Sequence, residues 1–335
     1  MTEVYRGVFP VAPTPFTETG QLDKEGQKRA LDCMIDQGVD GICILANYSE
    51  QFLLADEERE TLARLCLEYV SERLPVIVTC SHFHTDIAVQ RARRAAELGA
   101  AMVMLMPPYH GATLKGTEQG TYEQLARIGD AAGIPIMVQD APLSGVNLSV
   151  PFLVKLAKEI EQVRYFKIET PMTADKLRAL IKAGGDAIEG PFDGEEAITL
   201  MADLNAGAKG TMSSALLPDL IKPVVEHHRL GQTEAAAETY ARILPLINFE
   251  NRQCGLRACK TAMMEGGVIK SDHVRHPLPP LNPDTRAQLL DLVERGCQLL
   301  DDRRLNPLGW LIQQENIRIL NQCARQFGAA HLSAR

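Results

Sequence analysis

The 335-residue sequence is poor in aromatic side chains and has no long hydrophobic run. Phe, Trp and Tyr make up 5% of the residues, with a single tryptophan. A helix that crosses a bilayer needs about 20 consecutive, mostly apolar residues, and the sequence contains no such run. It also lacks the charged, apolar and small-residue regions of a signal peptide. We therefore expect a cytoplasmic protein with no membrane partner.

Positive charge is also in short supply. The sequence has 35 Lys and Arg against 43 Asp and Glu, which gives a net charge of −8. Non-specific binding to nucleic acid depends on an excess of positive charge, so we expect no nucleic-acid partner. A small anionic substrate needs only a few local donors and is still compatible with this composition. Apolar residues form 45% of the chain, enough for a large globular core.

None of the eight cysteines belongs to a CxxC pair, and several fall in apolar runs. This pattern is typical of buried reduced thiols and not of a disulfide framework or a zinc site. His82 and His84 have the spacing of a metal-binding pair, but no third ligand is evident nearby. We therefore expect no metal.

Eight short β-rich runs alternate with helix-length segments along the first 230 residues. The predicted strands are Gly7–Pro13, Gly41–Leu45, Pro75–Cys80, Ala101–Met106, Pro135–Asp140, Arg164–Glu169, Ala187–Gly190 and Gly207–Met212. The helical segments include Asp56–Ser71, Asp86–Leu98 and Pro151–Glu161, and Asp23 and Ser149 are predicted N-caps. Eight such βα units predict an α/β fold, a (β/α)₈ TIM barrel over residues 1–230. A doubly wound sheet is the alternative, but no glycine-rich dinucleotide motif follows the first strand.

The remaining residues, 231–335, predict a helical region that packs on the barrel or forms an oligomer interface. Its expected helices are Thr233–Ile247, Arg252–Glu265, Pro283–Leu300 and Trp310–Gln326. The proline-rich stretch His276–Pro280 separates two of them as a turn or linker.

Lys167 is the most informative residue because it lies inside an apolar strand. Burying an ammonium group is costly, and the cost falls if the amine is neutral. A neutral buried lysine is a nucleophile that forms Schiff bases with carbonyl compounds. The alternative is a lysine that merely forms a salt bridge with Glu169.

Active sites of TIM barrels lie at the carboxyl ends of the strands, and other polar residues occur at these predicted ends. They are Asn47, Tyr48 and Ser49 after strand 2, Tyr109 and His110 after strand 4, Gln139 on strand 5, Gly190 on strand 7 and Ser213 on strand 8. Glu169 is two residues from Lys167, so both side chains point to the same face of strand 6.

Over roughly residues 5–300 the sequence resembles the dihydrodipicolinate synthase / N-acetylneuraminate lyase family. The matching features are Thr14-Pro15-Phe16, Ser49-Glu50 followed by Glu57-Glu58-Arg59, Pro107-Pro108-Tyr109, and the lysine of strand 6. Residues 43–52, 137–142, 165–171 and 188–197 further resemble the family members that dehydrate 2-keto-3-deoxy sugar acids.

The resemblance implies that Lys167 is the Schiff-base lysine and that the substrate is a small 2-keto acid. The expected reaction converts L-2-keto-3-deoxyarabonate into 2-oxoglutarate semialdehyde. The imine on Lys167 acts as the electron sink, so we expect neither a metal nor an organic cofactor. The same imine also serves an aldolase that cleaves C3–C4, so the lysine leaves that alternative open. A non-catalytic barrel that binds sugar acids is a third alternative. The resemblance also implies a homotetramer.

The sequence departs from the family where the family relays protons. Gln139 stands where the family has a tyrosine, and Leu143-Ser144 replace the usual carboxylate-binding arginine. An amide cannot act as an acid or base at neutral pH. We therefore expect acid–base work from Glu169, Tyr109, His110 or Tyr48. Structural roles are the alternative for each: an ion pair for Glu169, a loop hydrogen bond for His110 and loop packing for the tyrosines.

The substrate carboxylate also needs hydrogen-bond donors. We expect Ser49 and Asn47 to bind it through their turn, where backbone N–H groups can converge. Gly190, Gln139 and Ser213 are expected to line the pocket for the rest of the substrate.

Overall fold

A computed structural model describes residues 4–301, with side chains described up to residue 295. Its main sheet contains eight strands, all parallel to their neighbours. They are β1 (Gly7–Val8), β2 (Ile42–Ile44), β3 (Val76–Thr79), β4 (Met102–Leu105), β5 (Ile136–Asp140), β6 (Val163–Ile168), β7 (Gly190–Asp193) and β8 (Gly210–Thr211). The strands are buried almost throughout, as expected of parallel strands that are covered on both faces.

The sheet closes into a barrel. Each strand from β2 to β7 pairs with the strand that follows it along the chain, and β8 pairs with β1. A parallel bridge between Val11 and Cys43 then joins the continuation of β1 to β2. The (β/α)₈ prediction is therefore confirmed, with strands in the predicted order.

The predicted bounds of the seventh strand were wrong. We expected Ala187–Gly190, whereas β7 runs over Gly190–Asp193. Pro191 has no N–H group and is rare inside parallel strands, but here its carbonyl oxygen accepts a hydrogen bond from Lys209 N at 2.8 Å. The shift moves Gly190 from the end of the strand to its beginning and puts Asp193 at its carboxyl end.

Eleven helices accompany the strands in the described residues. They are α1 (Lys24–Asp36), α2 (Asp56–Val70), α3 (Thr85–Glu97), α4 (Glu118–Ala132), α5 (Val150–Glu159), α6 (Thr173–Gly184), α7 (Leu200–Asn205), α8 (Pro218–Arg229), α9 (Thr233–Phe249), α10 (Arg257–Glu265) and α11 (Pro283–Asp301). Asp23 and Ser149 cap α1 and α5 through their side-chain oxygens, as predicted. None of these helices is long and apolar enough to span a membrane.

The chain divides into two compact units. The first contains the whole barrel sheet and comprises the described residues up to Val11, Asp40–Ala46 and Ala55–Ser213. The second comprises Ala12–Val39, Asn47–Leu54 and the described residues from Ser214 onward. The predicted boundary at residue 230 stays a prediction.

The helical character of the C-terminal region is confirmed as far as the structure describes it. The predicted helix Arg252–Glu265 was too long, because a π-helical turn occupies Glu250–Cys254 and α10 begins only at Arg257. Gly255, with φ of +60°, breaks the chain between them. The predicted helix Trp310–Gln326 lies outside the described residues.

Candidate active site

Lys167 lies near the carboxyl end of β6 and is 3% exposed. It is paired in register with Gln139 of β5 on one side and Phe192 of β7 on the other. The groups that act on its charge include Cys43, on the opposite side of the barrel. Lys167 therefore extends into the barrel interior, where the sequence predicted it.

The amine of Lys167 forms a short ion pair. Nζ lies 2.7 Å from Oε1 of Glu169, whose side chain is 14% exposed. Gln139 Nε2 donates a hydrogen bond of 3.0 Å to the same carboxylate oxygen. Glu169 thus contacts both Lys167 and Gln139, and the amide orients the carboxylate.

The amide oxygen of Gln139 has no hydrogen-bond donor among the described residues. This atom, Oε1, is also buried. An unsatisfied buried acceptor is costly, and a substrate hydroxyl would satisfy it. This geometry supports the expected position of Gln139 in the substrate pocket, although its role there stays a prediction.

The electrostatics of Lys167 favour the second of the two sequence-based alternatives, the salt bridge. Burial lowers the pKa of Lys167, but the carboxylates of Glu169 and Glu196 raise it, and the net shift is upward. Together with the 2.7 Å ion pair, this shift favours the charged form of the amine. A charged amine must transfer a proton before it can attack a carbonyl.

Glu196 is the residue that the sequence analysis missed. It follows β7, is buried, and is close enough to Lys167 to raise the pKa of its amine. It lies in the stretch 188–197 that resembles the dehydrating family members, but its position there assigns no role to the side chain. Two carboxylates, and not one, therefore act on the nucleophile.

The turn that carries Glu196 has an unusual backbone. Glu195, Glu196 and Ala197 have φ values of +50°, +55° and +68°. A left-handed conformation costs an L-residue about 1–2 kcal/mol, and three in succession are rare without glycine. The fold holds this strain at the carboxyl end of β7, beside the reactive lysine, as is common at functional sites.

Gly194 brings this turn into contact with the lysine. A Cβ atom at Gly194 would lie 2.3 Å from Cγ of Glu169 and 3.1 Å from Cε of Lys167. The first distance is shorter than real Cβ contacts allow, and the second is tighter than most of them. The glycine therefore permits the close approach of backbone and ion pair.

Two further predicted site residues of the barrel unit, Tyr109 and His110, follow β4. Tyr109 and His110 form a short hairpin with Leu114–Lys115 after β4, and the exposed His110 ring packs against Phe83. Burial raises the pKa of Tyr109, which makes it a weaker acid. The acid–base roles of both residues stay predictions.

Gly190 and Ser213 were expected to line the pocket. Gly190 begins β7, and a Cβ atom there would lie 2.1 Å from the ring of Tyr165. Its predicted position at a strand end was wrong, and that argument for a binding role no longer holds. Ser213 is buried just after β8 and accepts a hydrogen bond from Val11 N through its carbonyl oxygen.

The turn expected to bind the carboxylate belongs to the second compact unit. Asn47–Ser49 and Gln51–Leu53 form two 3₁₀ turns around Glu50, whose φ is +57°. Ser49 Oγ donates to the carbonyl oxygen of Ala12 at 2.6 Å. The Ser49 proton is therefore already engaged, so backbone N–H groups are the better donors here. The roles of Asn47, Tyr48 and Ser49 stay predictions.

A buried ion pair anchors this turn within its unit. Lys260 Nζ lies 2.6 Å from Oε1 of Glu50, and neither side chain is exposed. The backbone N–H of Arg275 donates to the other oxygen, Oε2, at 3.0 Å. Phe16 lies beneath both cations, 4.4 Å from Lys260 Nζ and 4.3 Å from the guanidinium of Arg275.

The δ nitrogens of His82 and His84 both accept hydrogen bonds from the backbone. Nδ1 of His84 accepts from the backbone N–H of Asp86 and caps α3, and Nδ1 of His82 accepts from the N–H of His84. Among the residues that the structure describes, no three His, Cys, Asp or Glu side chains are grouped so that they could hold a metal ion.

Comparison with known proteins shows the family of this chain. The model of the dihydrodipicolinate synthetase family matches residues 4–295. The chain is 58% identical over 307 residues to L-2-keto-3-deoxyarabonate dehydratase of Azospirillum brasilense, which covers 92% of this chain and 96% of that protein. It is 30% identical over 291 residues to 4-hydroxy-tetrahydrodipicolinate synthase 2 of Streptomyces coelicolor, covering 85% and 94% of the two chains.

Solved structures agree at the level of the fold. The crystal structure of a putative dihydrodipicolinate synthetase from Pseudomonas aeruginosa superposes with a TM-score of 0.82 at 27% identity, covering 87% of this chain and 99% of that one. Dihydrodipicolinate synthase from Aquifex aeolicus gives 0.81 at 25% identity, with coverage of 87% and 98%. With a closed eight-stranded barrel and a buried lysine on its sixth strand, the chain belongs to the dihydrodipicolinate synthetase family.

Proposed function

We propose that this protein is a Schiff-base hydro-lyase that converts L-2-keto-3-deoxyarabonate into 2-oxoglutarate semialdehyde. One observation carries the proposal: Lys167 is paired with Glu169 at 2.7 Å, with Glu196 as a second carboxylate and an amide in place of a tyrosine. The 58% identity to a dehydratase named for this substrate supports it.

The first step forms the imine. Glu169 accepts a proton from the ammonium group of Lys167, and the neutral amine attacks the C2 carbonyl of the substrate. The carbinolamine that results loses water, with Glu169 returning the proton to the departing hydroxyl. The product is an iminium ion between Nζ of Lys167 and C2.

Elimination follows because the iminium acidifies the C3 proton. Glu169 is adjacent to Nζ and therefore to C2 and C3 of a bound substrate, and we assign it as the base that forms the enamine. The enamine electrons expel the C4 hydroxyl, which leaves as water once it is protonated. The proton that Glu169 removed from C3 balances this step, and we assign its delivery to the leaving hydroxyl to Glu196, the second carboxylate that acts on the lysine.

The remaining steps release the product. A proton moves from C5 to C3, and the resulting C4–C5 enol becomes an aldehyde. Water then hydrolyses the imine and frees Lys167, so that the net change is the loss of one water. The proposed chemistry requires neither a metal nor an organic cofactor, because the iminium itself is the electron sink.

Product analysis separates this proposal from the aldolase alternative. Purified protein incubated with L-2-keto-3-deoxyarabonate should yield 2-oxoglutarate semialdehyde, identified by NMR and mass spectrometry. Pyruvate and glycolaldehyde as products would instead establish C3–C4 cleavage and overturn the dehydratase proposal.

A trapping experiment separates it from the non-catalytic alternative. Borohydride reduction in the presence of pyruvate should attach the keto acid to Lys167 and to no other lysine. Lys167→Met should abolish the label. Lys176→Arg is the matched control, because Lys176 also forms a short ion pair, with Asp140 at 2.5 Å. A labelled Lys167→Met variant would contradict the mechanism.

We also propose that the protein is a cytoplasmic homotetramer. Large apolar side chains are exposed on the loops after β3, β4, β5 and β6, namely Phe83, Leu114, Leu143 and Met172, and their burial between subunits would favour association. The six cysteines with described side chains are free thiols, as in a reducing compartment. Light scattering of the wild type and of Leu143→Glu/Met172→Glu tests the association, and a monomeric wild type would refute it.

A further inference from the structure

Two aspartates are buried at the two ends of the segment that carries Glu196. Asp193 is the last residue of β7 and Asp203 lies in α7, and both are 0% exposed. The mechanism proposed above uses neither carboxyl group. Because two unpaired buried carboxylates are strongly unfavourable, their environment must compensate for their burial.

The hydrogen bonds of the two carboxyl groups are nearly symmetrical. Thr211 Oγ1 donates to Oδ2 of Asp193 at 2.5 Å, and Thr199 Oγ1 donates to Oδ2 of Asp203 at 2.6 Å. The two Oδ1 atoms accept from no N–H or hydroxyl donor among the described residues. The two side chains are instead neighbours, and Asp203 is close enough to Asp193 to raise the pKa of its carboxyl group.

A hydrogen bond between two carboxyl groups needs a proton on one of them. Two ionised carboxylates in contact would repel each other, and such a pair retains one proton. Burial and the neighbouring Asp203 accordingly raise the pKa of Asp193 well above its ordinary value. One proton shared between the two carboxyl groups would let the Oδ1 atoms, which have no other partner among the described residues, bond to each other.

This pair closes the segment that bears the strained turn. Asp193 directly precedes Gly194, and the left-handed residues 195–197 follow at once. Thr199, the last residue before α7, is bonded to Asp203. A turn with three left-handed residues persists only where its surroundings determine it, and these bonds fix its two ends.

We propose that Asp193 and Asp203 form a proton-sharing clasp that positions Glu196 toward Lys167. The clasp comprises these two aspartates with Thr199 and Thr211, and both aspartates are positioning residues. The proposal rests on the proposed function insofar as it concerns the same lysine. Glycine usually occupies left-handed positions because it adopts them without strain. In this turn, which has no glycine at residues 195–197, the clasp would stabilise the left-handed conformation instead.

The test measures the acidity of Lys167 without any substrate. Lys167 faces Glu169, Glu196 and Cys43, and Asp193 faces Asp203, Thr211 and the charge of Lys167. Reductive methylation of the full-length protein with formaldehyde and cyanoborohydride, followed across pH by peptide mass spectrometry, reports the fraction of neutral amine. This readout does not depend on dehydration, so it tests the clasp whatever reaction the protein catalyses.

Glu196→Gln should raise the methylation rate of Lys167 about tenfold at neutral pH, because one pKa unit changes the neutral fraction tenfold. Asp203→Leu should raise it by a similar factor, because the turn loses its anchor. In Asp203→Leu/Glu196→Gln the rate should match that of Glu196→Gln alone. Asp175→Asn, an exposed aspartate on α6, is the matched control and should leave the rate unchanged.

Amide substitutions test the shared proton itself. In Asp203→Asn, the amide oxygen can accept from Thr199 while Nδ2 donates to Asp193, so the rate should stay at the wild-type value. Asp193→Asn should also leave the methylation rate of Lys167 at the wild-type value, for the same reason. Asp193→Asn/Asp203→Asn places two NH₂ groups face to face, and the rate should rise as in Asp203→Leu.

Turnover provides the second readout. With L-2-keto-3-deoxyarabonate, Asp203→Leu should lower kcat about 100-fold, the effect of an approximately 1 Å misplacement, and change KM much less. A wild type that does not dehydrate this substrate would refute the proposed function and leave the methylation test intact.

Three results would overturn the clasp: an unchanged methylation rate in Asp203→Leu, additive effects of Asp203→Leu and Glu196→Gln, or equal effects of Asp203→Leu and Asp203→Asn. If Asp203→Leu does not fold, Thr211→Val and Asp193→Asn/Asp203→Asn provide the same comparison. Wild-type rates in both of those variants would likewise refute the proposal.

Discussion

Replacing Glu169 by Gln is the most direct perturbation of the site. Nζ of Lys167 and Oε1 of Glu169 are 2.7 Å apart and largely shielded from water. An opposite charge this close shifts a pKa by about 1–3 units, equivalent to about 1.4–4 kcal/mol. The substitution removes this interaction but keeps the size of the side chain and one hydrogen-bonding oxygen.

Two opposite effects should follow. Since Glu169 raises the pKa of Lys167, its loss should lower that pKa and increase the neutral fraction of the amine. Pyruvate should then be trapped on Lys167 at lower pH than in the wild type. Turnover should nevertheless fall by about 10²–10⁴-fold, because the base for the C3 proton is gone.

The assay follows borohydride trapping of pyruvate and dehydration of L-2-keto-3-deoxyarabonate across pH in the same preparation. Glu161→Gln, which changes a glutamate outside the barrel interior, is the control and should match the wild type in both. Wild-type turnover in Glu169→Gln would refute the assignment of the base. A shift of trapping to higher pH would refute the electrostatic argument.

Three further predictions concern the stability and geometry of the site. Gly194→Ala should lower kcat at least about 100-fold, because its Cβ would displace Glu169 and Lys167. The control is Gly120→Ala in α4, which should raise the free energy of unfolding by about 0.5–1 kcal/mol in urea. Lys260→Met should lower the free energy of unfolding by about 3–5 kcal/mol at pH 7, because it leaves the carboxylate of Glu50 buried without its cation. Glu50→Gln/Lys260→Met should lower it by less, and equal losses of the two variants in urea unfolding would contradict this. The pKa of Lys167 is raised above its ordinary value of 10.5, so the ion pair contributes stability below about pH 10.5 and loses it as the pH rises through the folded-state pKa. Urea unfolding between pH 9 and pH 12 should show this loss in the wild type and not in Lys167→Met.

Much of the fold could be predicted from the sequence because the βα repeats carry strong local signals. Side-chain capping by Asp23 and Ser149 and the apolar strands between polar turns are encoded within a few residues. The error in β7 has a local cause as well. Gly190-Pro191 has the composition of a strand terminator, and only pairing with the neighbouring strands keeps Pro191 inside the sheet.

The site was only half predictable. Lys167, Glu169 and Gln139 lie on adjacent strands, so strand register alone predicts that they meet. Glu196 reaches the lysine through a left-handed turn of Glu195, Glu196 and Ala197, none of which signals that conformation. The sequence left both charge states of Lys167 open, and Glu196 adds a second carboxylate on the side of the charged amine.

In the proposed mechanism, an exchange of a phenol for carboxyl groups lets one imine serve a different reaction. A tyrosine has an ordinary pKa near 10 and a glutamate one near 4.3, so a protonated carboxyl is the far stronger acid. A C4 hydroxyl leaves only when it is protonated, and burial makes Tyr109 a still weaker donor. Gln139 donates to Glu169, which is paired with Lys167, and Glu196 adds a second carboxyl. We expect these carboxyl groups to direct the lysine chemistry to the loss of water, because that step depends more on a strong acid than on a weakly acidic phenol.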